Sequence, residues 1–279
     1  GFGVALLAVL GIGAGVGATI GPDAAPRSEV DAPAPTGGGV VVAAEGYRLV
    51  PASPALAAAG GPFRFTITDA GGDPATRFAE VHDRPLHLIV VNRELTSFDH
   101  VHPTLDGDGT WTVDLPALPP GSYRAVADFM IDDGPRLALG TDLSVAGAYE
   151  PRPRPEPAST VGVDGYEVRL ETERDDAGEV IATLVVTKGG EPVELEPYLG
   201  AFGHLVALRT GDLAYLHTHP GDEARAGEQG GPDVPFVAEF PTPGRYRLFL
   251  DFRVGDQVRT AEFTVDAVPG DGAPSVPAH

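Results

Sequence analysis

HLIVVNRELTSFDHVHP (87–103) and HLVALRTGDLAYLHTHP (204–220) are the two stretches that decide the fold of this chain. They align without a gap and begin 117 residues apart. A repeat of this length is too long for a solenoid, whose repeats are about 20–50 residues. It therefore predicts two whole domains that arose by duplication.

A second matched element follows each stretch. PGSYRAVADF (120–129) matches PGRYRLFLDF (243–252). A P-G-x-Y-R element entering a long apolar strand is typical of the tyrosine corner of Greek-key sandwiches, in which the tyrosine hydroxyl bonds to nearby backbone. We therefore predict a structural role for Tyr123 and Tyr246.

Short apolar strands separated by Gly, Pro and Asp turns fill both halves of the chain. About seven short strands per roughly 100 residues is the immunoglobulin-like pattern. The sequence predicts an all-β protein with two tandem immunoglobulin-like (Greek-key) β-sandwiches after an N-terminal transmembrane or signal helix. The predicted segments are the helix 1–21, a Pro/Gly linker 22–39, sandwich one 40–148, a Pro-rich linker 149–160, sandwich two 161–267 and a loose tail 268–279.

Each matched stretch is predicted to be a β-hairpin that ends in H-x-H. If Thr210-Gly211 forms the turn, His204 lies opposite His217, and if Gly211-Asp212 forms it, His204 lies opposite His219. In the first copy the corresponding turns are 93–94 or 94–95. Either register places three imidazoles on one face. The two histidines of H-x-H share a face because they are two residues apart on one strand, and the first histidine lies on the same face because it pairs with one of them across the hairpin.

Three imidazoles placed in this way can chelate a divalent ion at about 2 Å per bond. Asp128 and Asp251, matched in the strand after the tyrosine corner, are candidate further ligands that could instead pair with Arg124 or Arg247. The histidines could also be purely structural, because apolar residues share their face and they would cap a core-facing stripe. The predicted metal ligands are His87, His100, His102 and Asp128 in the first copy, and His204, His217, His219 and Asp251 in the second.

Three other side chains are weaker ligand candidates. Met130 shares a strand face with Asp128, but Arg253 replaces it in the second copy. His82 and His279 lie outside the duplicated triads. A nitrogen and oxygen donor set without sulfur suits Cu(II), Zn(II) or Ni(II), and copper is the tightest divalent occupant of an imidazole site. We therefore expect Cu²⁺ as the cofactor, with zinc second.

Composition restricts the location and the partners of the chain. Residues 1–21 are apolar without a charge and are long enough to span a bilayer, which predicts a retained single-pass anchor or a cleaved signal peptide. Both place the remainder outside the cytoplasm. The net charge of −21 argues against nucleic-acid binding. The absence of cysteine excludes disulfides, thiolate catalysis and cysteine metal sites.

The H-L-x-V … H-x-H-P and P-G-x-Y-R elements resemble those of secreted or membrane-anchored actinobacterial proteins described as heavy-metal-binding or YtkA-like domain proteins. The resemblance covers roughly 62–146 and 180–266. More remotely, the chain is similar to small periplasmic copper-resistance sandwich proteins. The resemblance implies an immunoglobulin-like fold and copper handling. The periplasmic proteins use an N-terminal amine as a ligand, which an apolar segment before the first domain does not allow here.

The sequence therefore predicts an extracytoplasmic metal-binding protein that sequesters copper or delivers it to a membrane protein such as an oxidase or a metal pump. Such a membrane partner would be met through the N-terminal helix. The alternative is a non-catalytic accessory or interaction subunit of a membrane complex, in which the histidines are structural. A three-histidine metal enzyme is a further class, but no general base is apparent beside the triads, and we expect no enzymatic activity.

Overall fold

A computed structural model describes residues 34–174, 180–216, 218–221, 223–238, 240–267 and 274–275. Within these ranges the chain forms β-strands and connecting loops, and no helix is long and apolar enough to cross a membrane. The predicted N-terminal helix, His217 and His279 all lie outside the described residues. The predicted all-β class is confirmed.

The first half of the described chain forms two sheets. Its strands are β1 (Ala43–Ala44), β2 (Tyr47–Pro51), β3 (Ala55–Leu56), β4 (Gly61–Thr68), β5 (Phe78–Ala79), β6 (Leu86–Asn92), β7 (Phe98–Val101), β8 (Thr104–Leu105), β9 (Thr110–Leu115), β10 (Gly121–Ile131) and β11 (Arg136–Val145). One sheet has the order β1-β2-β4-β9-β8, and the other has the order β3-β11-β10-β6-β7, with β5 paired to β10.

The second half repeats this arrangement. Its strands are β12 (Thr160–Val163), β13 (Tyr166–Arg174), β14 (Val180–Lys188), β15 (Glu191–Pro192), β16 (His204–Arg209), β17 (Tyr215–Leu216), β18 (Thr218–Pro220), β19 (Asp233–Ala238), β20 (Gly244–Val254), β21 (Gln257–Ala267) and β22 (Pro274–Ser275). The sheets have the orders β12-β13-β14-β19-β18, with β15 on β14, and β17-β16-β20-β21-β22.

Both halves have the strand order of an immunoglobulin-type sandwich. In the first half, β2-β4-β9-β8 corresponds to A-B-E-D and β11-β10-β6-β7 corresponds to G-F-C-C′. In the second half, β13-β14-β19-β18 and β21-β20-β16-β17 follow the same order. The two sandwiches are called domain 1 and domain 2 below.

Each domain has a core between its own two sheets. In domain 1, inward-facing residues of β4 and β9, including Phe65 and Trp111, pack against Leu88 of β6 and Phe129 of β10. In domain 2, the equivalent residues of β14 and β19 pack against β16, β20 and β21. Burial of these alternating apolar residues is the main stabilising contribution to each sandwich, at roughly 25 cal/mol per Å² of apolar surface.

The two predicted tyrosine corners are confirmed. The Tyr123 hydroxyl donates to the Pro119 carbonyl over 2.8 Å, and the Tyr246 hydroxyl donates to the Thr242 carbonyl over 2.7 Å. These bonds fix the start of β10 and of β20, which are the central strands that carry Asp128 and Asp251.

The outer faces of β6 and β16 pack against each other across the domain boundary. Leu86, Leu88 and Val90 point into the domain 1 core, whereas Ile89 and Val91 join an interdomain cluster. The apolar stripe that shares the histidine face is buried as predicted, but it packs in this interdomain cluster and not between the two sheets of a sandwich, because His87 alternates with Leu86 and Leu88 and shares the outer face. The interdomain cluster comprises Ile89, Val91, Leu95, Val126 and Ala138 of domain 1 and Val206, Leu208, Leu213, Tyr215 and Phe249 of domain 2.

Residues 36–41, here called the interdomain strap, run along this boundary. The Thr36 amide donates to the Arg136 carbonyl and the Gly39 amide to the Ala138 carbonyl, at 3.0 and 2.9 Å, while the Tyr215 amide donates to the Gly38 carbonyl at 2.8 Å. Most of the strap belongs to the segment that the sequence predicts to be a linker. The strap therefore contributes backbone hydrogen bonds to both domains.

Candidate metal centre at the domain boundary

His87 lies on the outer face of β6, beside the boundary, with 2% of its surface exposed. Its Nε2 is 2.9 Å from the Val81 carbonyl oxygen, so that this nitrogen carries the proton and donates it. Its Nδ1 is 3.1 Å from Nε2 of His100. Burial, followed by the neighbouring His100 and His102 rings, lowers the pKa of His87 well below its ordinary value. The ring is therefore neutral at pH 7, and its Nδ1 carries a lone pair that could bind a metal ion.

His100 lies on β7, opposite Ile89, and connects the two domains. Its Nδ1 is 2.8 Å from Oδ2 of Asp251, with only 1% and 4% of the two side chains exposed. Asp251 also accepts a hydrogen bond from the Thr260 hydroxyl at Oδ1, over 2.6 Å. The carboxylate is thus held by domain 2 while it orients a ring of domain 1.

His102 completes a group of three imidazoles whose ligand atoms all lie within 4.8 Å of one another. Its Nε2 is buried and has no hydrogen-bond partner. Burial, with a smaller contribution from His100, lowers the pKa of His102 to about 3. A buried, neutral and unpartnered nitrogen is costly in a protein interior, and coordination of a cation would satisfy it.

Two further histidine rings lie against this group. The His204 ring, on β16 of domain 2, has its centroid 5.1 Å from that of His87 and 4.8 Å from that of His100. Burial, followed by the nearby His100 and His87 rings, lowers the pKa of His204 well below its ordinary value. His82, in the turn before β6, has its ring 5.3 Å from that of His204.

The hydrogen-bond chain from Val81 through His87 and His100 to Asp251 restricts where protons can be. His87 donates to the Val81 carbonyl from Nε2, so its Nδ1 must accept, and the bond to His100 then needs a proton between the two rings. His100 also holds a proton towards Asp251. A metal ion could replace the shared proton between the rings, whereas the two outer bonds would orient the ligands, as carboxylates and carbonyls do around metal-bound histidines.

The Asp128 carboxylate is held by an arginine and a tyrosine, and its negative charge acts on the His87 ring. Asp128 pairs with His87 in the strand register, but its carboxylate binds the buried Arg136 guanidinium and accepts a bond from the Tyr215 hydroxyl at 2.9 Å. The alternative pairing of Asp128 and Asp251 with Arg124 and Arg247 is wrong. Arg124 donates to the strap carbonyls and to Asp142, and Arg247 donates to Leu95, Thr264 and Glu262.

The structure selects one of the two hairpin registers. Leu208 pairs with Tyr215 and Val91 pairs with Phe98, which centres the turns on 211–212 and 94–95. His219 lies on β18, which pairs with β19 of the other sheet, opposite Val237. Within the described residues the three-imidazole group contains histidines of domain 1 only, and His204 is the domain 2 ring that lies against it.

Sequence reasoning missed three features of this site: the His82 ring in the cluster, the bond from Asp251 to the histidine of the other domain, and the position of His204. One signal pointed to them. LHLIVV (86–91) and HLVAL (204–208) are almost continuously apolar, which is the pattern of strands buried on both faces rather than on one. That pattern indicates that a second body covers the outer face.

The fold and the site together define a protein of two immunoglobulin-type sandwiches that enclose a histidine cluster at their boundary. The chain belongs to a family that is described as a domain of unknown function (DUF8832), whose model matches residues 42–146 and 160–269. The two matched segments correspond to the two copies of the repeat. No curated protein matches the chain.

Several solved structures are similar to the chain at low identity. Domains 5–6 of the S-layer protein SbsC are 11% identical, with 77% of this chain and 95% of that chain covered and a TM-score of 0.21. Bovine butyrophilin is 9% identical, with 80% and 99% covered and a TM-score of 0.22. The N-terminal Ig1-2 module of the Drosophila receptor protein tyrosine phosphatase DLAR is 8% identical, with 79% and 96% covered and a TM-score of 0.21.

Proposed function

We propose that this chain is an extracytoplasmic protein that binds a divalent transition-metal ion, with copper first and zinc second, through His87, His100 and His102. The observation that carries the proposal is the convergence of three imidazole donor atoms within 4.8 Å of one another, two of them on rings whose other nitrogen is hydrogen-bonded. Nitrogen atoms that share one ion at about 2.0–2.1 Å lie about 3.4 Å apart, so a small contraction would close the site.

Three neutral nitrogens without sulfur favour Cu(II) over Cu(I), and the order of divalent affinities places copper above zinc. The depressed pKa values of His87 and His102 keep these ligands free of protons in mildly acidic surroundings. The corresponding task is sequestration of the ion or its delivery to a membrane protein, and the predicted N-terminal segment would keep the chain near such a partner.

The second candidate is a non-catalytic interaction subunit in which the histidines only hold the domains together. The hydrogen bonds of His100 to Asp251 and of His87 to Val81 favour it, because both bonds exist without an ion. The buried Nε2 of His102, which has no hydrogen-bond partner, is left unexplained under this alternative.

Titration of the chelator-treated chain with Cu²⁺ tests the proposal by calorimetry and by the paramagnetic spectrum of the bound ion. We expect saturable binding that His102→Ala weakens by roughly 100-fold or more, since loss of a ligand costs more than loss of its outer hydrogen-bond partner. His219→Ala changes the matched position of the other copy and is the control. No saturable binding of Cu²⁺ or Zn²⁺, or equal binding by the wild type and His102→Ala, would overturn the proposal.

A further inference from the structure

The histidine cluster is not confined to one domain. His204 projects from the outer face of β16, which it shares with Val206 and Leu208 of the interdomain cluster. Its ring is the one that domain 2 places against His87 and His100 among the described residues. This position follows from the packing of the two outer faces and not from the hairpin that carries His204.

The centroid separations suit four imidazoles around one ion, but the His204 ring lies nearly parallel to the His87 ring, at 7°, and must turn before its nitrogen points at the ion. Two imidazoles that bind the same tetrahedral ion at about 2.0–2.1 Å have their ring centroids about 5 Å apart. The centroid of the His204 ring lies 5.1 Å from that of His87 and 4.8 Å from that of His100. The three pairs within His87, His100 and His102 are separated by 5.3, 5.0 and 4.8 Å.

Domain 2 also supplies the carboxylate that orients His100. The bond from His100 Nδ1 to Asp251 Oδ2 is 2.8 Å long and almost fully shielded from water. Asp251 is held in turn by Thr260 on β21. An outer carboxylate of this kind fixes the ring orientation and raises the basicity of the nitrogen that faces the ion.

We infer that the metal centre is a composite site that bridges the two domains, with His204 as a fourth nitrogen ligand and Asp251 as the outer partner of His100. This inference rests on the proposed function. His204 is not among the nitrogens that already lie within 4.8 Å of one another, so binding turns its ring towards the ion. An ion that binds only when the two domains are packed against each other stabilises that packing, so metal binding is expected to hold the domains together.

The inference changes the expected stoichiometry. A separate site in the second copy would need His204, which can serve only one ion at a time. A composite site therefore predicts about one equivalent of metal per chain, whereas two independent triads predict two.

The test compares the full-length chain with His204→Ala and His204→Asn, and uses His219→Ala as the matched control in the same domain. Cu²⁺ binding is followed by calorimetry, and the nitrogen couplings in the paramagnetic spectrum of the bound Cu²⁺ report the number of imidazole ligands. Thermal unfolding of each metal-free variant checks that it is folded.

We expect one equivalent in the wild type, and a loss of one nitrogen coupling with at least about 10-fold weaker binding in both His204 variants. His219→Ala is expected to bind like the wild type. Equal affinity and an unchanged number of nitrogens in both His204 variants would overturn the composite site and leave the proposed function intact. Binding of two equivalents of Cu²⁺, of which His204→Ala removes only the second, would also overturn the composite site and leave the proposed function intact. No binding by the wild type would overturn both.

Discussion

Asp128 and Asp251 occupy the same position of the repeat, but their carboxylates have different partners. Asp128 is held by the Arg136 guanidinium and the Tyr215 hydroxyl, which leaves it already neutralised by a cation. Asp251 is held by Thr260 and by the His100 ring of the other domain. The duplicated sequence therefore supplies two equal residues, of which Asp251 is hydrogen-bonded to a ring of the imidazole cluster and Asp128 to an arginine and a tyrosine.

The depressed pKa of His87 makes stability of the metal-free protein depend on pH. The unfolded chain takes up a proton near the ordinary pKa of 6.5, whereas the folded ring stays neutral well below that value. The free energy of unfolding is therefore unaffected above pH 6.5 and falls as the pH decreases below it, by up to about 1.4 kcal/mol per pH unit for each such histidine.

Urea unfolding in the presence of a chelator at pH 7.5, 6.5 and 5.5 measures this dependence, since carboxylates titrate mainly at lower pH. His87→Asn is expected to reduce the slope between pH 6.5 and 5.5. A slope that is the same in the wild type and in this variant would contradict the neutral state of the ring.

The interdomain strap depends on a glycine opposite it. A Cβ at Gly140 of β11 would overlap the Gly39 carbonyl oxygen, which is backbone and cannot turn aside. Gly140→Ala is therefore expected to displace the strap and break the bond from the Gly140 amide to the Val41 carbonyl. We expect a loss of about 1–3 kcal/mol in the free energy of unfolding, the usual range for overpacking.

Hydrogen exchange of the Gly39 and Gly140 amides measures the displacement. Gly107→Ala is the control, because a Cβ at that position meets nothing within 4 Å. Wild-type protection of both amides in Gly140→Ala would show that the strap tolerates the extra methyl group.

Sequence patterns predicted the elements whose determinants are local. The P-G-x-Y-R element gave both tyrosine corners, and strand alternation gave hairpins whose turns are centred at one of the two predicted positions. Patterns could not show what covers the outer face of β6, because a period of two is the same whether that face meets a core, a second domain or solvent. They likewise gave no reason for residues 36–39 to pair with β11.

The contribution of domain 2 to the site lay beyond sequence reasoning because it depends on the docking of the two domains. The triad His87, His100 and His102 was predicted from spacing alone, and its rings do converge. The spacing of His204 is identical, but its ring is directed to the other triad by the packing of Val206 and Phe249 against domain 1. Such packing is set by shape and by hydrophobic area over long sequence separations and has no local motif.

The interdomain cluster should make the two sandwiches unfold together. Phe98 of domain 1 and Phe249 of domain 2 have ring centroids 4.0 Å apart, and Ile89 and Val206 are fully buried at the boundary. Val206→Asp would place an unpaired carboxylate in this apolar contact, which costs several kcal/mol and is relieved when the domains separate.

Calorimetry of the metal-free chain is therefore expected to show one transition for the wild type and two for Val206→Asp, and the variant should also lose metal affinity because His204 and Asp251 leave the site. Val258→Asp, at a position that is 43% exposed in the same domain, is the control and should behave like the wild type. A single transition with unchanged metal affinity in Val206→Asp would mean that the domains are coupled by something other than this contact. Two transitions with unchanged metal affinity would mean that the ion needs only the histidines of domain 1.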